Sequence, residues 1–348
     1  MKNRVIILIL AMVFTLVCMP LSAQANDDNV EEMIEILDEI RSLANELHDQ
    51  SEFIADDVEP TVGLDWKLMG KAEVVHGTSH DIERFASIAH DRLKDGLDTG
   101  EFDKNEITRR ITMLQGVTNA ISPLVDDIDH ETPQSHREYA DALRNAQSDL
   151  QQLVSELHLM AESAVFVAEN NVDIYLMGKA EVIHGTSHDM GRFANIGYNE
   201  LNRGLETGEF NKNEITRRIT MLQGVTNAIS PLVDDIDHET PQSHREYADA
   251  LKSEFAFLQE LSSQLNQLTV EENASEMSEI MQQIMDISRE IHDISEFIAD
   301  DVDPAADDTI IDEVDDPVEQ DPETEDTPGL GAISAAFGIL SMAYLIRR

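Results

Sequence analysis

Two stretches of this chain are the same. Lys104–Leu143 and Lys212–Leu251 agree at all 40 positions, offset by 108 residues. The likeness reaches back to Leu68-Met-Gly-Lys-Ala-Glu73 and Leu176-Met-Gly-Lys-Ala-Glu181. A repeat of this length is larger than a solenoid turn and holds several elements, so each copy has to be a packing unit. Identity this close marks a recent duplication, so agreement between the copies says little by itself about selection. A third theme recurs at other spacings. Glu46-Leu-His-Asp-Gln-Ser-Glu52 returns as Glu290-Ile-His-Asp-Ile-Ser-Glu296, each running into Phe-Ile-Ala-Asp-Asp-Val. A more diverged version is Glu156-Leu-His-Leu-Met-Ala-Glu162.

Helical periodicity runs through both copies. Met33, Leu37, Ile40, Ala44, Leu47, Ile54 and Val58 form one apolar stripe at the threes and fours of an α-helix. Leu68, Ala72, Val75, Ile82, Ala89 and Leu93 form a second, and Ile107, Ile111, Leu114, Ile121 and Ile128 a third. Pro123 is expected to kink or end that third helix. A fourth opens at Thr132 as N-cap with Pro133 at its first position and runs toward Ala168. Turn residues fall at Pro60–Gly63, Gly96–Gly100 and His130–Thr132, and no stretch alternates as a strand does. The fold class expected is all-α: two tandem, duplicated up-and-down four-helix bundles, residues 26–165 and 166–302, joined by a long helix. A helical body of this size buries an adequate core without staples.

The extremities point outside the cell. Lys2 and Arg4 precede an apolar run from Val5 to Leu21, and Ala23-Gln24-Ala25 supplies small residues for cleavage, the pattern of a signal peptide over residues 1–25. The one cysteine, Cys18, lies in that segment, which removes disulfides, thiolate metal sites and cysteine nucleophiles from a processed chain. Residues 300–326 hold 14 Asp and Glu with no Lys or Arg, so residues 303–327 are expected to form a disordered acidic stalk. Residues 328–348 carry an apolar run from Leu330 to Ile346 closed by Arg347 and Arg348, the length and charge placement of a short membrane helix.

The tail Thr327-Pro-Gly-Leu330 with its hydrophobic helix and Arg-Arg end resembles the PGF-CTERM sorting signals of archaeal surface proteins. That resemblance covers residues 327–348 alone, and Leu330 stands where the family has phenylalanine. It implies removal of the helix by an archaeosortase-like processing enzyme and a lipid link to the membrane. A retained helical anchor is the other reading. Both leave the body on the outer face of the cell membrane, where envelope proteins are its candidate partners.

The formal net charge is −46, from 24 basic and 70 acidic residues. Such a chain repels nucleic acid and anionic lipid. It suits a saline exterior, where screening shortens to a few ångströms, and a halophilic source is expected.

Chemistry-bearing residues cluster on two helical segments per copy. Glu73-x-x-His76-x-x-x-His80 recurs as Glu181-x-x-His184-x-x-x-His188, a spacing that sets all three side chains on one helix face. The preceding segments offer His48-x-x-x-Glu52 and His158-x-x-x-Glu162. An antiparallel hairpin turning near residue 62 places His48 level with His76 and Glu52 level with Glu73. The slightly shorter second loop keeps His158 level with His184 and Glu162 with Glu181. Two imidazoles and two carboxylates at one level are donors for zinc, manganese or iron, and bundle metal sites are built this way. The opposing reading is that of rim side chains paired as ordinary His–Glu neighbours. His292 and Glu296 precede the stalk and have no following hairpin, so they are read as helix sequence without a partner.

Other candidates are weaker. His90 aligns with Tyr198 in the second copy and is read as a surface residue; His136 and His244 fall at a core boundary. Met69, Met113, Met177 and Met221 sit at core spacing, where methionine packs rather than binds haem. Thr78 and Ser79 have no nucleophile-elbow context. Asn273-Ala-Ser275 is a glycosylation sequon expected on an exposed connection. Two functions remain. One is a non-enzymatic, surface-anchored helical protein with a structural or interaction role; the other is an extracytoplasmic module binding a divalent or transition metal, or carrying electrons, through the paired His/Glu clusters.

Overall fold

The computed structural model describes residues 29–55, 66–163, 174–241 and 244–301. The expected signal peptide, stalk and C-terminal anchor lie outside them, as do the turn at Pro60–Gly63 and the link after the fourth helix. No helix among the described residues is long and apolar enough to cross a membrane.

The chain is all-α. Helix α1 spans residues 29–55, followed by α2 (Trp66–Thr99), α3 (Lys104–Glu131), α4 (Arg137–Ser163), α5 (Ile174–Thr207), α6 (Lys212–Glu239), α7 (Arg245–Leu265) and α8 (Val270–Asp301). Asp103 and Asn211 cap α3 and α6, each side chain accepting from a backbone N–H in the first turn. Gly100 and Gly208 end α2 and α5 with φ of 75° and 78°, a left-handed backbone that glycine adopts without a Cβ clash.

Three local expectations need correcting. Pro123 and Pro231 lie inside α3 and α6, which continue past them to Glu131 and Glu239. Thr132 ends α3 instead of opening a new helix, its N–H donating to the Ile128 carbonyl at 3.0 Å; a 3₁₀ turn at Gln134–His136 then leads into α4. The sequon residue Asn273 sits at a kink inside α8 and is half-buried.

Helix α2 lies antiparallel to α1, with His48 against His76 and Asp38 near His90. It packs on α3, and α3 packs on α4. A ring stack of Phe53 on Tyr139, 5.3 Å between centroids, brings α4 back to α1. In the second copy α5 packs on α6, α6 on α7, α7 on α8 and α8 on α5, and Tyr247 on Phe297 repeats the stack at 5.6 Å. The helix equivalent to α1 therefore comes last in the second copy. That copy is a circular permutation of the first.

The copies do not sit in series along a connecting helix. Helix α2 packs on α6 and α3 on α5, while α2 meets α5 between them. Glycines set the approach. A Cβ on Gly70 would lie 1.9 Å from the Gly224 carbonyl carbon, and one on Gly178 would lie 2.1 Å from that of Gly116. Gly70 and Gly178 are equivalent residues, as are Gly116 and Gly224, so the contacts are reciprocal, as in an isologous dimer.

Candidate metal centre

Helices α2 and α5 each present two histidines one turn apart, and a neighbouring antiparallel helix supplies a third. In the first copy the third is His48 of α1; in the second it is His292 of α8. Within His48, His76 and His80, one ligand nitrogen per ring lies within 4.8 Å of the others, and the same holds for His184, His188 and His292. The two triads have closely similar ring spacings and angles. His48 and His76 have ring centroids 4.4 Å apart and His292 and His184 4.2 Å, while the His80 and His188 rings stand edge-on to both neighbours.

On α1 and α8 a neighbouring carboxylate sets the tautomer. His48 Nδ1 donates to Asp49 Oδ1 at 3.1 Å and His292 Nδ1 to Asp293 Oδ1 at 3.0 Å. A carboxylate on Nδ1 leaves Nε2 with its lone pair, the second-sphere arrangement found behind metal-binding imidazoles. His48 Nε2 lies 3.0 Å from His76 Nε2; two nitrogens each about 2.1 Å from one ion are about 3.0–3.4 Å apart at octahedral or tetrahedral angles.

On α2 and α5 the surroundings disfavour the charged imidazole. Burial, reinforced by the neighbouring imidazoles, lowers His76 to about 4 and His184 to about 3. Burial lowers His80 and His188 as well. The neutral form of these four rings is the one that binds a cation.

The carboxylates behave differently from the histidines. Glu52 and Glu73 line the pocket beside the first triad. Glu181 is buried with its Oε2 3.9 Å from His184 Nδ1. His158 faces Glu162 across 3.4 Å on its own helix and is in neither triad. The hairpin expected between His158 and His184 does not form, because α5 takes α8 as its antiparallel neighbour. Its register survives only in the first copy. His292, read from the sequence as partnerless, fills the position given to His158. The signal was present: residues 290–296 match residues 46–52 more closely than residues 156–162 do, and only they keep Asp after the histidine. His90 is buried, not a surface residue, between Asp38 and Asp91.

Two features escaped the sequence. Asp81 and Asp189, equivalent residues, lie where α2 crosses α5, Asp81 buried and Asp189 half-buried. Asp81 Oδ2 would lie 2.2 Å from a Cβ on Gly185, and Asp189 Oδ2 2.4 Å from one on Gly77. Gly77, beside His76, is thus the space into which the other copy's carboxylate fits. Burial raises both aspartates to about 6, against the pull of Arg84 on Asp81 and Arg192 on Asp189. The second feature is a pocket of about 350 Å³ in front of the first triad, walled on its far side by Arg192, Phe193, Arg217 and Arg218 of the second copy.

With the geometry in hand, comparison with protein families, curated proteins and solved structures finds no match to this chain.

Proposed function

We propose that this chain is a non-enzymatic protein that binds a divalent transition metal at two equivalent tris-histidine sites. The convergence of three imidazoles in each copy carries the reading. It recurs through different chain connections, with α1 directly preceding α2 but α8 following α5 after two intervening helices. Four of the six rings are held neutral by burial, and the two that lie on the outer helices have a carboxylate behind them. Three neutral imidazoles favour zinc, copper, nickel or iron over the oxygen-seeking magnesium and calcium. With the exported, membrane-tethered layout expected from the termini, the role is capture or display of metal at the cell exterior. The acidic surface concentrates cations there without selecting among them.

Metal analysis tests this. The purified chain, loaded with Zn²⁺ or Co²⁺ and dialysed against a weak chelator, is expected to keep two ions. The His76→Ala/His184→Ala variant is expected to keep none while retaining its helical circular dichroism. Metal that is lost from wild type, or equally retained by the variant, would sink the reading.

A further inference from the structure

We infer that the pocket before the first triad is a binding site for a small oxyanion such as phosphate or bicarbonate. The anion would be held between a metal on His48, His76 and His80 and the guanidinium groups of Arg192, Arg217 and Arg218. This rests on the metal reading above and adds the class of ligand.

The charge of the chain makes the arrangement unusual. Acidic residues outnumber Lys and Arg 70 to 24, yet three arginines from α5 and α6 converge on one pocket of about 350 Å³. Two of them are fixed in place: Arg192 Nη2 donates to Asp189 at 3.0 Å, and Arg218 Nη2 meets Glu214 at 2.6 Å. A guanidinium carries five donors in a rigid fork, so these partners orient it and leave other donors for a ligand. Glu52 and Glu73 line the same pocket and oppose an anion. With Asp189 and Glu214, already paired to Arg192 and Arg218, four carboxylates stand against the five positive charges of a dipositive ion and three guanidiniums, a small positive excess.

Coordination chemistry supplies the other half. Three histidine ligands leave an open position on a tetrahedral ion. Here the pocket borders all three histidines, and the fork of a guanidinium bonds two oxygens of a carboxylate or phosphate at once. The volume, at the low end for small-molecule sites, admits a phosphate or carbonate together with water. Because the imidazoles come from one copy and the arginines from the other, neither copy alone makes the site.

The test uses the full chain carrying His292→Ala, which leaves the first triad as the metal site under observation. Loaded with Co²⁺, it is titrated with inorganic phosphate and, separately, with bicarbonate, while the visible absorption of the cobalt is followed. A saturating spectral change is expected with at least one anion, and which one identifies the source. Arg217→Gln and Arg192→Lys are expected to weaken that response about tenfold or more, the usual consequence of losing a charge-assisted hydrogen bond, with cobalt content unchanged. Stoichiometric cobalt whose spectrum ignores both anions, or variants that respond as the parent does, would overturn the anion site and leave the metal reading standing. Absence of cobalt from the triad would overturn the metal reading and this inference with it.

Discussion

At the scale of single residues, histidines and aspartates in the interior pull stability in opposite directions as pH changes. His76 and His184 have folded pKa values of about 4 and 3 against 6.5 for the free side chain. Their neutral form is the one folding selects. Stability from them is complete above pH 6.5 and is lost as pH falls toward the folded values, roughly 2 kcal/mol for each ring between pH 7.5 and 5. Asp81 and Asp189, raised to about 6 from 3.8, do the reverse. Their contribution is complete below 3.8 and is lost as pH rises through 6, roughly 1.5 kcal/mol each over the same interval. In the metal-free wild type the two trends largely cancel. The Asp81→Asn/Asp189→Asn variant removes one of them. Its urea midpoint is expected to exceed the wild type's at pH 7.5 and to fall much more steeply on going to pH 5. Parallel pH profiles for the two proteins would contradict the assignment of buried carboxylates.

At the scale of elements, the stripes in the sequence located the helices well, because 3.6-residue periodicity is a local property. Their ends and crossings were less legible. Pro123 breaks no helix, since a proline removes only one donor and α3 is held on both sides by α2 and α4. The glycines were ambiguous for a related reason: a missing Cβ looks the same in sequence whether it serves a turn or a crossing. Space around each one separates the cases. Gly70→Ala would drive a methyl into the Gly224 backbone, and neither helix can yield locally, so a loss of about 1–3 kcal/mol is expected. Gly191, inside α5, has Ser288 Cβ at 3.8 Å as its nearest neighbour, an ordinary contact. Gly191→Ala is therefore expected to gain up to about 1 kcal/mol from helix propensity. Thermal denaturation of the two variants checks both signs at once; equal effects would mean the crossing is looser than the contacts imply.

At the scale of the whole molecule, the arrangement resembles a two-subunit assembly written into one chain. The glycine contacts between the copies are reciprocal: Gly70 with Gly224 and Gly116 with Gly178, Gly77 with Asp189 and Gly185 with Asp81. The permutation decides where the metal ligands come from, and it is what the sequence hid. A hairpin between neighbours in the chain is the cheapest closure, so His158 was the natural partner for His184. That choice fails because α4 belongs to the first copy, where it packs on α3 and stacks Tyr139 on Phe53. Helix α8, 32 residues long with a full apolar stripe, buries that stripe on α5 and brings His292 with it. The consequence is a sharp contrast between two histidines that look alike on paper. His292→Ala is expected to lower the bound metal from two ions to one per chain, and His158→Ala to leave it at two, with the fold of both intact by circular dichroism. The remaining ion in the His292→Ala protein should then be lost on adding His48→Ala. Metal content that drops with His158 and not with His292 would place the second site in the hairpin after all, and with it the whole permuted pairing of helices would have to be redrawn.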